Sequence, residues 1–127
     1  MPRSRPSPVN PRLRDAQVDR LCAALLALET VEECYRFLED ICTIHEVKAL
    51  AARLEVARLL DAGCTYDEIA SRTGASSATI SRVRRFLEYG ADGYRIVLQR
   101  AVRGPRRRPV RTAAGRRPAS RPASATD

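Results

Sequence analysis

The sequence predicts an all-α protein: a bundle of about six helices in one domain at 15–102, with an unpacked basic segment on either side. Three observations carry this. A Thr-x-x-Glu pattern recurs three times ahead of apolar runs, at Thr30/Glu33, Thr43/Glu46 and Thr65/Glu68. Apolar residues return at spacings of three and four throughout the segment, the period of a helix face. No stretch alternates apolar and polar residues for long enough to make a convincing strand.

The elements follow in order. Val18, Leu21, Cys22, Leu25 and Leu28 form one stripe and predict a helix over 15–28. Each Thr-x-x-Glu then marks a helix start. In this capping box the threonine hydroxyl accepts from the backbone N–H of the glutamate, whose carboxylate accepts in turn from the threonine N–H. The second helix carries Val31, Cys34, Phe37, Leu38 and Ile41 on one stripe. The third runs over 44–62, burying Val47, Leu50, Leu54, Ala57 and Leu60, and Gly63 stands where a left-handed C-cap belongs. Two short helices come next, and a last one spans 92–102 with Tyr94, Val97 and Leu98 inward. These apolar stripes are wide for so small a core, so a lone chain would leave apolar surface exposed, and dimerisation would bury it.

The segment 65–88 meets the demands of a helix-turn-helix. Ile69 supplies the apolar residue of the first helix, and Ala70 the small one that lets the second helix pass. Gly74 supplies a turn residue able to take positive φ. Ile80, Val83 and Leu87 point the second helix back at the first, and Ser76 is its N-cap. At roughly 100° per residue, Ala78, Ser81, Arg82 and Arg85 face away from that apolar side. Such a face suits duplex DNA. Small residues at the helix start allow close entry into the major groove, hydroxyls bond bases or phosphates, and arginine grips guanine or phosphate. The candidate DNA-binding residues are Ser76, Ser77, Ala78, Thr79, Ser81, Arg82, Arg84 and Arg85, with Arg72 and Arg84 on the flanks, better placed for phosphate.

Charge alone would mislead. The net charge of +8 comes from the ends: residues 15–102 hold 11 Lys and Arg against 14 Asp and Glu, whereas 1–14 and 103–127 hold 12 arginines and one aspartate. Both end segments are rich in Pro, Arg and Ser and poor in large apolar residues, so the sequence predicts a disordered basic arm at 1–14 and a disordered Arg/Pro/Ala-rich tail at 103–127. Such segments attract phosphate without reading sequence. Three arginines within four positions, 82, 84 and 85, stand out in an otherwise acidic core.

Several function classes are disfavoured. No apolar run reaches the ~18 residues needed to span a bilayer, and the N-terminus lacks an apolar signal stretch, which places the chain in the cytoplasm with no membrane partner. Cys22, Cys34, Cys42 and Cys64 form no Cys-x-x-Cys pair and His45 is the only histidine, so no metal site or cofactor is expected and the thiols read as small hydrophobes. With His45 beside Glu46 and no Ser or Cys relay, no catalytic residue is assigned and the chain is not expected to be an enzyme.

Three stretches, ECYRFLED at 33–40, RLEVARLL at 53–60 and TGASSATISRV at 73–83, resemble the YerC/YecD family of Trp-repressor-like proteins. The resemblance covers 15–102. It implies an interlocked, all-helical homodimer in which each subunit presents one helix-turn-helix to a palindromic operator. It also implies a ligand pocket that has changed. The polar positions that shape the tryptophan site in the tryptophan-binding relative match Thr43, Arg53 and Arg82, but a glycine there is Val83 here and a serine is Phe86. Branched and aromatic bulk then occupies the space of an indole. The implied pocket is vestigial, no response to tryptophan is expected, and the recognition helix would be held ready without ligand; whether another small-molecule effector exists is left open.

The leading expectation is a dimeric, sequence-specific DNA-binding transcriptional regulator, a repressor by resemblance, with double-stranded DNA as partner. The alternative is a helical protein-interaction adaptor whose basic tails bind nucleic acid non-specifically.

Overall fold

Backbone groups at helix ends need partners, and this chain supplies them from short-range side chains. The computed structural model describes residues 8–102, which contain six α-helices and no strand. They are α1 (Ala16–Ala27), α2 (Val31–Ile41), α3 (Ile44–Asp61), α4 (Tyr66–Thr73), α5 (Ser77–Tyr89) and α6 (Gly93–Val97), and α6 runs into a π-helical turn, Leu98–Val102. Asp15 caps α1 by accepting from the Val18 N–H at 2.8 Å. Thr43 and Thr65 form complete capping boxes with Glu46 and Glu68. The third box is half made: Thr30 accepts from Glu33 N–H, but the Glu33 carboxylate accepts from Glu29 N–H at 2.8 Å instead of from Thr30.

The end of α3 is set by Gly63, whose φ of 91° lies in the left-handed region. There the Gly63 N–H reaches the Leu60 carbonyl and the Cys64 N–H reaches that of Leu59, both at 3.0 Å. This is the Schellman arrangement, and it turns the chain directly into the Thr65 box. The expected disordered arm at 1–14 contains one 3-10 turn, Pro11–Leu13, capped by Asn10; its first seven residues, and the tail expected at 103–127, lie outside the described residues.

The core belongs to the second half of the chain. Val56, Ala57 and Leu59 of α3 meet Ile69 of α4, Ile80, Val83 and Leu87 of α5, and Leu98, with Leu54, Leu60, Cys64, Tyr66, Ala75 and Tyr94 packed around them. Burying one such aliphatic side chain is worth roughly 1.5–3 kcal/mol. Helices α1 and α2 contribute no buried residue.

The apolar surface expected to stay uncovered in a lone chain lies on α1, α2 and the start of α3, and on α3 the buried positions expected are corrected in part. Leu21, Cys22 and Leu25 of α1, Val31 and Ile41 of α2 and Leu50 of α3 are exposed in the single chain, while Val18, Leu28, Cys34, Phe37, Leu38 and Val47 are half-buried. Leu26 is 86% exposed, Ile44 76% and Tyr35 68%. On α3 the reading of one stripe missed Val56 and Leu59, because apolar residues lie around much of this helix and only the face toward α4 and α5 is covered by the chain's own core. Val97 is exposed, while Leu98 is buried and Tyr94 packs against the core at the C-terminal end.

Candidate nucleic-acid interface

Two short helices joined by Gly74, Ala75 and Ser76 form the site. Gly74 ends α4 at φ 75°, a conformation that carries no steric penalty only for glycine. The Thr73 hydroxyl braces the turn from inside, donating to the Ile69 carbonyl at 2.7 Å and accepting from the Ala75 N–H at 3.1 Å. Ser76 then caps α5, its hydroxyl oxygen accepting from the Thr79 N–H at 3.1 Å. Ile69 and Ile80 are fully buried where the helices meet. Ala70, expected to be the small residue at the crossing, is exposed, and the small residue packed against the core is Ala75 of the turn. Ala70 misses the contact because one residue rotates a helix by roughly 100°, which carries it off the Ile69 face.

With Ile80, Val83 and Leu87 facing inward, α5 presents Ser77, Ala78, Ser81, Arg82, Arg84 and Arg85 to the exterior. Ala78, Ser81, Arg82, Arg85 and Phe86 line one shallow concavity of about 500 Å³. Arg82 makes no ion pair with another described residue, and the Arg85 guanidinium lies 5.7 Å from the centroid of the Phe86 ring. Arg84 is differently placed. Its Nε donates to Glu88 at 3.1 Å and its guanidinium lies 6.0 Å from the Tyr66 ring centroid. Arg72 is exposed in the last turn of α4. Ser76 and Thr79 are engaged with each other at the cap, their hydroxyl oxygens 3.2 Å apart.

Of the positions matched to a ligand pocket, Arg82 and Phe86 line the concavity on α5. Thr43 caps α3 and Arg53 is exposed on it; neither lines the concavity that holds Arg82 and Phe86. Val83 is 2% exposed, inside the core, whereas Phe86 is 46% exposed on the outer face, so the two do not fill a common space in one subunit.

Two residues absent from the sequence reading organise the site. The Arg84 guanidinium lies 6.0 Å from the Tyr66 ring centroid, and the neighbouring Ser81 and Arg84 hold the Tyr66 phenol below its usual range. Arg95 of α6 donates through Nε to the Leu87 carbonyl at 3.0 Å, and its Nη1 lies 3.9 Å from Asp61 Oδ1. Tyr66, Arg84 and Arg95, with Leu60, Cys64 and Glu88, line a cleft of about 340 Å³ on the flank of α5. The nearest sequence signal was Tyr66 as an aromatic beside the Thr65 cap, one turn from Ile69.

Residues 16–102 match the Trp repressor protein family, from the start of α1 to the end of the π-helical turn. The chain belongs to the Trp repressor family. This Trp repressor family member is 54% identical over 89 residues to the uncharacterized protein YerC of Bacillus subtilis, covering 70% of this chain and 86% of that protein. Its structure resembles that of a TrpR-like protein from Eubacterium eligens, with a TM-score of 0.71 and 46% identity over 76% of this chain and 100% of the other. It also resembles a Staphylococcus aureus protein described as a candidate Trp repressor, with a TM-score of 0.69 and 46% identity over 73% of this chain and 93% of the other. The family match thus coincides with the described helices, and no helix among them is long and apolar enough to cross a membrane.

Proposed function

We propose that the protein is a sequence-specific, DNA-binding transcriptional regulator, acting as a repressor in the cytoplasm, with α4 and α5 as its helix-turn-helix. One observation carries the reading. The inner side of α5 is wholly committed to the core through Ile80, Val83 and Leu87, while its outer side gathers Arg82, Arg84 and Arg85 behind the small residues Ser77 and Ala78. Ser77, Ala78 and Ser81 enter the major groove; Arg82 and Arg85 reach base edges or phosphate, and Arg72 and Arg84 hold phosphate at the flanks. Ser76 and Thr79 fix the helix start and present the first-turn backbone to the phosphates.

The protein acts as a homodimer. The uncovered apolar residues of α1 and α2, among them Leu26 and Tyr35, supply the surface that a second copy covers. Two copies place two α5 helices about one duplex turn apart, roughly 34 Å, on a palindromic site. The arginine-rich end segments add affinity that does not depend on sequence.

No tryptophan is needed. Val83 stands where the tryptophan-binding relative has glycine, and here it is a core residue that ties α5 to α3 and α4. Selection of bound sequences from random duplex DNA by the full chain, with no added ligand, tests the reading. A palindrome should be enriched; enrichment that appears only with a small molecule would remove the claim of effector independence. Binding without any preference would favour the adaptor with non-specific tails.

A further inference from the structure

Most of the exposed large apolar side chains among the described residues lie on α1, α2 and the start of α3, where 15–50 holds eight Asp and Glu against three Lys and Arg. A surface of that sign turns a polyanion away. Phe86 of α5 is exposed in the opposite setting. It lines the concavity of about 500 Å³ together with Ala78, Ser81, Arg82 and Arg85, and the Arg85 guanidinium lies 5.7 Å from its ring centroid. Neither Arg82 nor Arg85 has an ion pair with another described residue. An aromatic ring therefore stands between two cations, beside a methyl and a hydroxyl group, on the outer face of α5. Val83 and Leu87 hold the same turn of the helix against the core, and Phe86 has no part in that packing.

We propose that Phe86 is a specificity-determining residue for DNA: its ring packs against the C5-methyl group of a thymine at one position of each half-site, next to the base pair that Arg85 meets. This rests on the DNA-reading role of α5 given above. The thymine methyl is the one apolar group on the base-pair edges of the major groove, where every other exposed group donates or accepts a hydrogen bond. A ring on a groove-facing helix thus has a single kind of base-edge contact that removes apolar surface of both partners from water. Arg82 and Arg85 line the same concavity and supply the charge that draws the duplex onto it. The ring shares that concavity with the residues placed in the groove, which is why a duplex, rather than a second copy of the chain, is its partner. Against any base other than thymine the ring meets a polar edge that it cannot satisfy, so the contact selects as well as binds.

The test uses the full-length wild type, Phe86→Leu and Phe86→Ala on the palindrome that the wild type selects from random duplex DNA. Each thymine of one half-site is replaced in turn by deoxyuridine, which lacks only the methyl group, and affinities are compared at one salt concentration. At one thymine the wild type should lose about fourfold on the exchange, the worth of one buried methyl. Phe86→Leu should keep part of that loss. Phe86→Ala should show none at that position, because it already binds the thymine form as weakly as the deoxyuridine form, while its response at every other thymine stays that of the wild type. Light scattering should give the wild-type mass for both variants. An exchange loss that is the same in all three proteins would overturn the proposal, as would a palindrome in which no thymine responds to the exchange. A mass that falls in Phe86→Ala would place the ring against a second copy and overturn it too. If the wild type enriched no sequence, the reading role of α5 would fail and this contact with it, so the selection and the exchange separate the two failures.

Discussion

The Nε–H of Arg95 donates to the backbone carbonyl of Leu87 at 3.0 Å, so a side chain from α6 satisfies one of the carbonyls that the last turn of α5 leaves without a helical partner. The same guanidinium faces Asp61 at the end of α3 across 3.9 Å. One arginine thus pins the C-terminal ends of α3 and α5 to each other, while Ile69 and Ile80 join the two short helices at the core. Arg95→Ala is expected to lower unfolding stability by about 1–2 kcal/mol, read as a lower urea midpoint at unchanged slope. A change within error would show that water replaces the guanidinium without cost.

The turn between α4 and α5 offers a cleaner test, because steric crowding plays no part in it. A Cβ at Gly74 would have no heavy atom within 4 Å, so the cost of Gly74→Ala is that of the left-handed backbone alone. That cost is about 1–2 kcal/mol. Gly74→Asn should cost clearly less, since asparagine tolerates this conformation. Equal losses for the two variants would mean that something other than backbone conformation limits the turn.

Leu26 on α1 and Tyr35 on α2 are the exposed apolar residues whose substitution tests assembly most directly. In a lone chain, Leu26→Glu and Tyr35→Glu would be surface changes worth little. If a second copy covers them, each buries a charge without a partner. The solution mass, measured by light scattering, should then fall from that of two chains toward one. A wild-type protein that runs as one chain at all concentrations would contradict the dimer.

Acid should act on α3 through Glu55. The Arg58 guanidinium, at 2.6 Å, holds the Glu55 carboxyl below its usual value. A carboxyl whose folded value is depressed adds stability that is fully present above its unfolded value, about 4.3 for glutamate, and is lost as pH falls through the folded value. Both side chains are more than 40% exposed, so solvent screens the pair and the contribution is small. Glu55→Gln should lower stability slightly at pH ~7, where the wild-type carboxylate is charged, and the gap between the two proteins should close as pH falls below ~4. A difference between the two proteins that persists undiminished in acid would contradict this origin.

What could be read from the residues alone was the local part. Thr43 with Glu46, Thr65 with Glu68, Gly63, Gly74 and Ser76 all act within a few residues of themselves, so their spacing was sufficient. The Thr30 box was only half legible because Glu33 has two backbone donors in reach and takes that of Glu29. The core of α3 was only partly placed because Val47 and Leu50 continue the stripe of Leu54, Ala57 and Leu60, and periodicity does not say which apolar residues meet this chain's own helices. On α5 the outward residues were legible from rotation about the helix. Their division was not, since the contacts of Arg84 with Tyr66 and of Arg95 with Leu87 and Asp61 depend on how the helices cross.

The central claim is that the outer face of α5 reads sequence, and the most direct measurement is the affinity of Arg82→Ala and Arg85→Ala for the selected palindrome and for unrelated duplex at the same salt concentration. If these side chains reach base edges, each variant should lose about ten- to a hundredfold for the palindrome while binding unrelated duplex nearly as before. If both duplexes weaken by the same factor, the arginines serve only as phosphate anchors, and sequence reading by this face is contradicted.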